Sequence, residues 1–440
     1  MGPDSIARRA LLIFCINYRL AIPDRQVTDY DLFSRTFKAD PFPTYAAMRE
    51  ADPVYAHAAP DGRIIWYVTR YEDVAAVLRD DRRFCKNPRH AVDEHLPDRG
   101  AGVRAKPDGS GLNFNDNMLF SDPPDHTRLR ALVSQAFTPR RVAAMAGRIQ
   151  ATADGLIDRL AAEDAPDLIA AYALPLPVVV ISDLLGIPAA DREAVAGWSQ
   201  AIISPGSRGL NYSARKRMVR AFIDYLRGLC ARRRADPRDD LITALVAPAT
   251  GGDRLDEAEL FSMIALLLVT GHETTVNLIG NGALALMRAP EQMERLRTEA
   301  GLWPAAVEEL LRYDGPVETS TSRWVREDTT FDGRALRRGD LMRPVITSAN
   351  RDPAQFDRPD ELDVGRADNR HLAFGLGAHY CLGAPLARLE GAIALETLFR
   401  RRPGLRLALP AEELSWRSGV LFRGLRELRV TTPGVRRDDE

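Results

Sequence analysis

Residues 256–287 constrain this chain more than any other stretch. They read as one unbroken helix, opened by a capping box in which Asp256 caps the first turn and Glu259 reaches back to it. The first half is almost wholly apolar through Leu266–Val269. Such a helix runs through the interior, and the rest of the chain has to be built around it. Into it the sequence puts Thr270-Gly271-His272-Glu273-Thr274-Thr275, although a glycine, an acid and hydroxyls are costly inside a buried helix. Two readings stand side by side. In one, the threonines bond back to carbonyls a turn earlier and Glu273 meets a buried arginine. In the other, Gly271 lets another group approach and a hydroxyl distorts the hydrogen-bond ladder. A small ligand then sits in the groove, and Glu273 and Thr274 relay protons to it.

Around this helix the periodicity predicts further helices at 124–136, 139–162, 175–186, 190–203, 212–235, 238–247, 290–299 and 303–313, with shorter ones at 38–49 and 71–79. Strand-like pieces are few: 64–69 beside a turn at Asp61-Gly62, then 319–325, 330–331 and 341–344, and in the tail 405–409 and 428–431. Residues 82–117, rich in Pro, Gly, Asp and His, read as a long loop, and a loop of that length in a compact domain tends to be functional. The fold class is therefore mainly α with small β-sheets, in one continuous domain over 27–440. Residues 1–26 read as a poorly ordered extension. Their apolar run Ala10–Ile16 is too short to cross a bilayer and lacks a small-residue cleavage site.

A net charge of −1 gives no argument for nucleic acid or an acidic membrane. No later segment of membrane length lacks charges, so a soluble, cytoplasmic protein is expected. Cys15, Cys85, Cys230 and Cys381 lie too far apart to suggest a disulfide framework or a zinc site.

One of these cysteines stands out. Cys381 lies in Phe374-Gly375-Leu-Gly-Ala-His379-Tyr-Cys381-Leu-Gly383, followed at once by a helical pattern to Phe399. A lone cysteine is usually a small buried hydrophobe, and a glycine-flanked one also suits acyl transfer. Here the glycines let the backbone approach a flat object closely. The helix start should also lower the thiol pKa, as a thiolate ligand to haem iron requires.

The loop and its helix resemble the haem-ligand segment of the cytochrome P-450 family, and Thr270–Thr275 resembles that family's oxygen-binding groove. The acid and the alcohol match at Glu273 and Thr274, whereas Thr270 stands where Ala or Gly is commoner. Glu309 and Arg312 resemble its E-x-x-R signature, completed by Arg366, and by residue spacing alone they are an ordinary solvated ion pair. The resemblance implies a structural role for these three. It also implies that His126, Arg130, Arg323 and His379 donate to the haem propionates, and that Gly271, Phe374, Gly375 and Gly383 shape the cofactor site. Leu266, Val269, Thr270, Val317, Thr319, Val420 and Leu421 are expected to line the substrate pocket, together with the loop Asn113–Met118.

The implied protein is a bacterial monooxygenase carrying haem b, with Cys381 as axial ligand. It puts one atom of O2 into a lipophilic small molecule by hydroxylation or epoxidation, with Glu273 and Thr274 bringing protons. Electrons come ultimately from NAD(P)H through separate partners, a ferredoxin with its reductase or a flavodoxin, because the stretch after Cys381 is too short for a fused reductase. Basic residues such as Arg128 and Arg388 are expected to steer that partner. A monomer is expected. Two rivals are a peroxygenase driven by hydrogen peroxide and a non-catalytic haem-fold protein that recruits or senses. The intact acid and alcohol argue against both.

Overall fold

The computed structural model describes residues 29–59, 64–91, 116–160, 165–203, 212–248 and 252–431. The expected extension 1–26, the turn at Asp61-Gly62 and Asn113–Asn115 lie outside them.

Five helices position the site. They are α1 (Asp125–Ala136), α2 (Pro175–Leu185), α3 (Glu257–Met287), α4 (Trp303–Asp314) and α5 (Ala384–Arg401). The capping box forms as the sequence demands: Asp256 accepts from the Glu259 N–H and Glu259 accepts from the Asp256 N–H. α3 packs against α2, α4 and α5 within one large apolar core. By length and composition alone it could cross a membrane, and its burial decides otherwise, because 72% of its most apolar window lies inside the protein.

Five short strands form one sheet at the side of the helices: β1 (Val54–Ala58), β2 (Ile64–Val68), β3 (Phe84–Cys85), β4 (Arg323–Val325) and β5 (Leu341–Pro344). Their order is β1-β2-β5-β4-β3, antiparallel except for the β2–β5 pair. Thr329–Phe331 pairs with Arg334–Leu336, and Arg406–Leu407 with Val430–Thr431.

The differences from the expected elements are local. The helix expected over 139–162 is two, Pro139–Ala144 and Ala146–Leu160, because the Met145 N–H tightens onto Val142 O, three residues back. The strand expected from Thr319 begins at Arg323, since residues 317–320 bond to the tail and to Pro344 O instead. Ahead of α2, Ile169–Ala173 forms a wide helical turn closed by the Leu174 N–H on Ile169 O, which periodicity had not indicated.

Candidate functional site

The cysteine loop is shaped by glycines in left-handed conformations. Gly375 has φ 70° and Gly377 φ 74°, regions costly for other residues. Gly377 is the tighter of the two: a Cβ there would stand 2.8 Å from Leu78 O, so the loop lies flush on the end of helix Tyr71–Arg79. The Cys381 N–H donates to Phe374 O at 2.9 Å, and Gly383 caps α5. Cys381 is exposed, whereas Cys85 and Cys230 are buried and held up at about 12 and about 11 by that burial. The expectation of a lowered Cys381 pKa needs correction. Desolvation by the surrounding protein pushes the thiol up, outweighing the N–H groups of Gly383 and Ala384 and the charges of Arg130 and Arg388. In this chain the thiolate has to be stabilised by what it binds.

Three regions bring basic side chains to one place beside this loop. His126 is buried on α1 with its ring centroid 4.2 Å from that of His379. Arg130, one turn later, donates to Tyr380 O at 2.7 Å. Arg323 is buried at the start of β4 and donates to Val77 O and Leu78 O at 3.1 and 3.0 Å. Burial brings its guanidinium down to about 10, with Asp81 and Asp122 pulling the other way.

A further basic residue was not anticipated. Lys86 is 4% exposed, and its Nζ donates to Thr321 Oγ1 and, at 3.1 Å, to Thr321 O. Among the described residues no carboxylate pairs with it. Its backbone is pinned by the buried Asp122, which accepts the Lys86 N–H at 2.7 Å. The one available signal was a lysine in a chain that otherwise uses arginine almost throughout.

Burial, and then the charges of Lys86, His126, Arg323 and Arg130, push His379 down to about 2. Among the described residues, His126 Nε2 is buried with no hydrogen-bond partner. Converging positive charge with an orphaned ring nitrogen calls for an anion. The two carboxylates of a haem, with Cys381 as its ligand, fit these residues.

On α3 the local reading of the polar insertion is the observed one. Thr270 Oγ1 donates to Leu266 O at 2.7 Å and Thr274 Oγ1 to Thr270 O at 2.9 Å, and the helix stays unbroken. The expected distortion is absent because the hydroxyl adds a bond to a carbonyl without displacing the ladder. Gly271 does let another group approach. A Cβ there would stand 3.0 Å from Ile181 Cδ1, so the room it leaves is taken by α2. Glu273 is buried and ion-paired to Arg417, which the sequence reading had not named.

Glu309 is not the solvated partner its spacing suggested. It is 0% exposed and Arg312 1%. Arg312 binds both carboxylate oxygens at 2.7 Å, Arg366 Nε approaches them at 3.1 and 3.2 Å, and the Asp363 N–H and Asn369 Nδ2 add 2.9 and 3.1 Å bonds. Arg312 also holds Asn350 O, Pro359 O and Glu361 O. The segment leading to the cysteine loop is thereby fixed.

Arg388 and Arg128, expected to steer a redox partner, are each ion-paired. Arg388 pairs with Glu308 at 2.7 and 2.8 Å and lies over Phe374, while Arg128 pairs with Glu259. Burial alone would raise the Glu308 carboxyl, but hydrogen bonds from His371 and Arg388 bring it down to about 2. Its folded pKa lies below the ordinary 4.5, so its stabilisation is present above that value and lost as pH falls through about 2. Melting curves over that window should show wild type losing more stability on acidification than Glu308→Gln. Parallel curves would remove Glu308 from the account.

Four of the expected pocket residues, Val317, Thr319, Val420 and Leu421, come together from two separate segments. Val317 bridges Phe422, the Glu318 N–H donates to Leu421 O at 2.9 Å, and Thr319 Oγ1 donates to Val420 O at 2.8 Å. Thr319 is therefore buried with its hydroxyl committed. Leu266, Val269 and Thr270 are half-buried on α3.

The comparisons agree with this architecture. The family model for Cytochrome P450 matches residues 203–401. The chain is 40% identical over 403 residues to the polyketide biosynthesis cytochrome P450 PksS of Bacillus subtilis, covering 90% of this chain and 97% of that protein. It superposes on the solved PksS structure with TM-score 0.83, covering 91% and 98%. It is 42% identical to the cytochrome P450 monooxygenase PikC of Streptomyces venezuelae, over 92% of this chain and 94% of that one. With the mycinamicin IV hydroxylase/epoxidase of Micromonospora griseorubida it shares 41% identity, over 88% and 94%. Near-complete coverage at this identity extends the likeness beyond one motif to the whole architecture, and the chain belongs to the bacterial cytochrome P450 family and is a monooxygenase.

Proposed function

We propose that this enzyme hydroxylates or epoxidises a medium to large lipophilic natural product, with Cys381 as the haem ligand. The observation that carries the site assignment is the exposed Cys381 beside Arg130 and the buried Arg323 and Lys86, with an unpartnered His126 Nε2 among the described residues. Bound haem supplies the oxygen-activating chemistry. His126, Arg130, Arg323 and His379, joined by Lys86, would hold its carboxylates. Thr274 donates to Thr270 O and keeps its oxygen lone pairs for accepting a proton-bearing group. Glu273 is the acid that connects this position to solvent.

PksS is named for polyketide biosynthesis and the Micromonospora enzyme for hydroxylation or epoxidation of mycinamicin IV, which supports a polyketide-like natural product over a small polar substrate. The half-buried aliphatic residues of α3 and the tail suit the same class. Electrons from NAD(P)H through a ferredoxin with its reductase, or a flavodoxin, a monomeric state and a cytoplasmic location complete the reading. So does a single functional domain over 27–440 preceded by an extension.

The test is a screen of macrolides, terpenoids, fatty acids and steroids for the spin-state change that displacement of a distal ligand produces, followed by product analysis with a surrogate ferredoxin system. Binding and product from one class support the reading. Turnover with peroxide alone, and none with any redox partner, would replace it by a peroxygenase. With a substrate in hand, Thr274→Ala should lower product per electron several-fold and raise peroxide release at similar NADPH consumption. Unchanged coupling would remove Thr274 from the relay.

A further inference from the structure

Among the described residues the side chain of Glu273 has one partner, and it comes from far away in sequence. Arg417 lies in the tail, 144 residues on. There the chain doubles back: the Arg417 N–H donates to Gly424 O at 2.9 Å, the Arg426 N–H to Ser415 O at 2.7 Å, and Trp416 bridges Leu425. The tip of this hairpin, turned at Gly419 (φ 118°), carries Val420 and Leu421, which are bonded to Thr319 and Glu318 beside the expected pocket. Its return arm touches α3 directly. A Cβ at Gly424 would stand 2.1 Å from Asn277 Oδ1, one helical turn beyond Glu273. Asn281 Nδ2, a further turn on, donates to Arg423 O at 3.1 Å. One short hairpin thus touches the pocket turn with its tip, α3 with its return arm and the α3 acid with its arginine.

We propose that Arg417 is a positioning residue for Glu273, and that the tail hairpin, through its seating on α3, sets where this acid points and whether it stays ionised. The inference rests on Glu273 being the relay acid only for its functional meaning; the ion pair itself stands apart from that reading. A buried carboxylate is costly without a counter-charge, and removing the partner leaves it to turn away or take up a proton. Among the described residues the charged and titratable groups around the pair are Arg426, whose like charge disfavours the ionised form of Arg417, and His272, whose protonation Arg417 disfavours. The neighbouring α2 contributes apolar Ile181.

Infrared difference titration of the holoenzyme tests this without turnover. The carbonyl band of protonated Glu273 is assigned by its absence in Glu273→Gln. In Arg417→Gln the midpoint should rise by roughly one to three units, the range an adjacent guanidinium commands. Arg417→Lys, which keeps the charge, should stay near wild type. Gly424→Ala leaves both residues in place but forces the return arm off Asn277, and it should move the midpoint in the same direction as Arg417→Gln. An unmoved midpoint in Arg417→Gln overturns the positioning role, and an unmoved one in Gly424→Ala overturns the part given to the hairpin. If Glu273→Gln leaves coupling unchanged in turnover, the relay reading fails, and the titrations still decide the case for Arg417.

Discussion

Cys381→Ala is expected to abolish oxygen insertion while leaving the fold in place. The Cys381 side chain is solvent-accessible, so its loss should cost the apoprotein little stability. What disappears is a thiol presented on a glycine-shaped loop at the start of α5, and with it the electron donation that a thiolate would supply to a bound haem. Product formation should fall by at least about a thousandfold, equivalent to about 4 kcal/mol of barrier. Helix content by circular dichroism should stay near wild type. Retained turnover would assign the ligand role elsewhere. Cys85 and Cys230 are poor substitutes, because both are buried and their thiols are held far up.

The second large effect is on the fold itself. Glu309→Ala strands two guanidiniums, Arg312 and Arg366, around a fully buried void, and also removes the acceptor for the Asp363 N–H and Asn369. Breaking a buried pair from one side costs about 3–5 kcal/mol, a large part of the stability of a typical domain. Most of the variant should therefore be recovered unfolded or without cofactor. Denaturant unfolding of the soluble fraction should show a lowered midpoint. Glu309→Gln, which keeps the shape, should still be strongly destabilised, because a neutral amide leaves both charges uncompensated. A midpoint within experimental error of wild type would contradict the role given to this cluster.

How much of this was legible in sequence depends on the range of the interaction. The α3 capping box is local chemistry, and both its residues lie within one turn, so it could be read directly. The cysteine loop was legible for the same reason. Burial of Glu309 was not. An i, i+3 acid–arginine pair looks the same on a surface as in a core, and only Arg366, 57 residues on, separates the cases. Arg417 and Lys86 were missed because their partners are set by tertiary packing: one lies in a tail hairpin, the other in a loop pinned by Asp122. The thiol pKa failed for a related reason. A helix start is visible in sequence, but the desolvation that outweighs it depends on everything packed around the site. The polar insertion in α3 shows the converse, since the back-bonding of its threonines is local and was anticipated.

The central claim is that Cys381 gives its thiolate to a haem iron. It is tested most directly by the absorption spectrum of the reduced, carbon monoxide-bound holoenzyme. The account predicts the red-shifted band of thiolate ligation, and its disappearance in Cys381→Ala. An unshifted, imidazole-like band in the wild-type protein would contradict it.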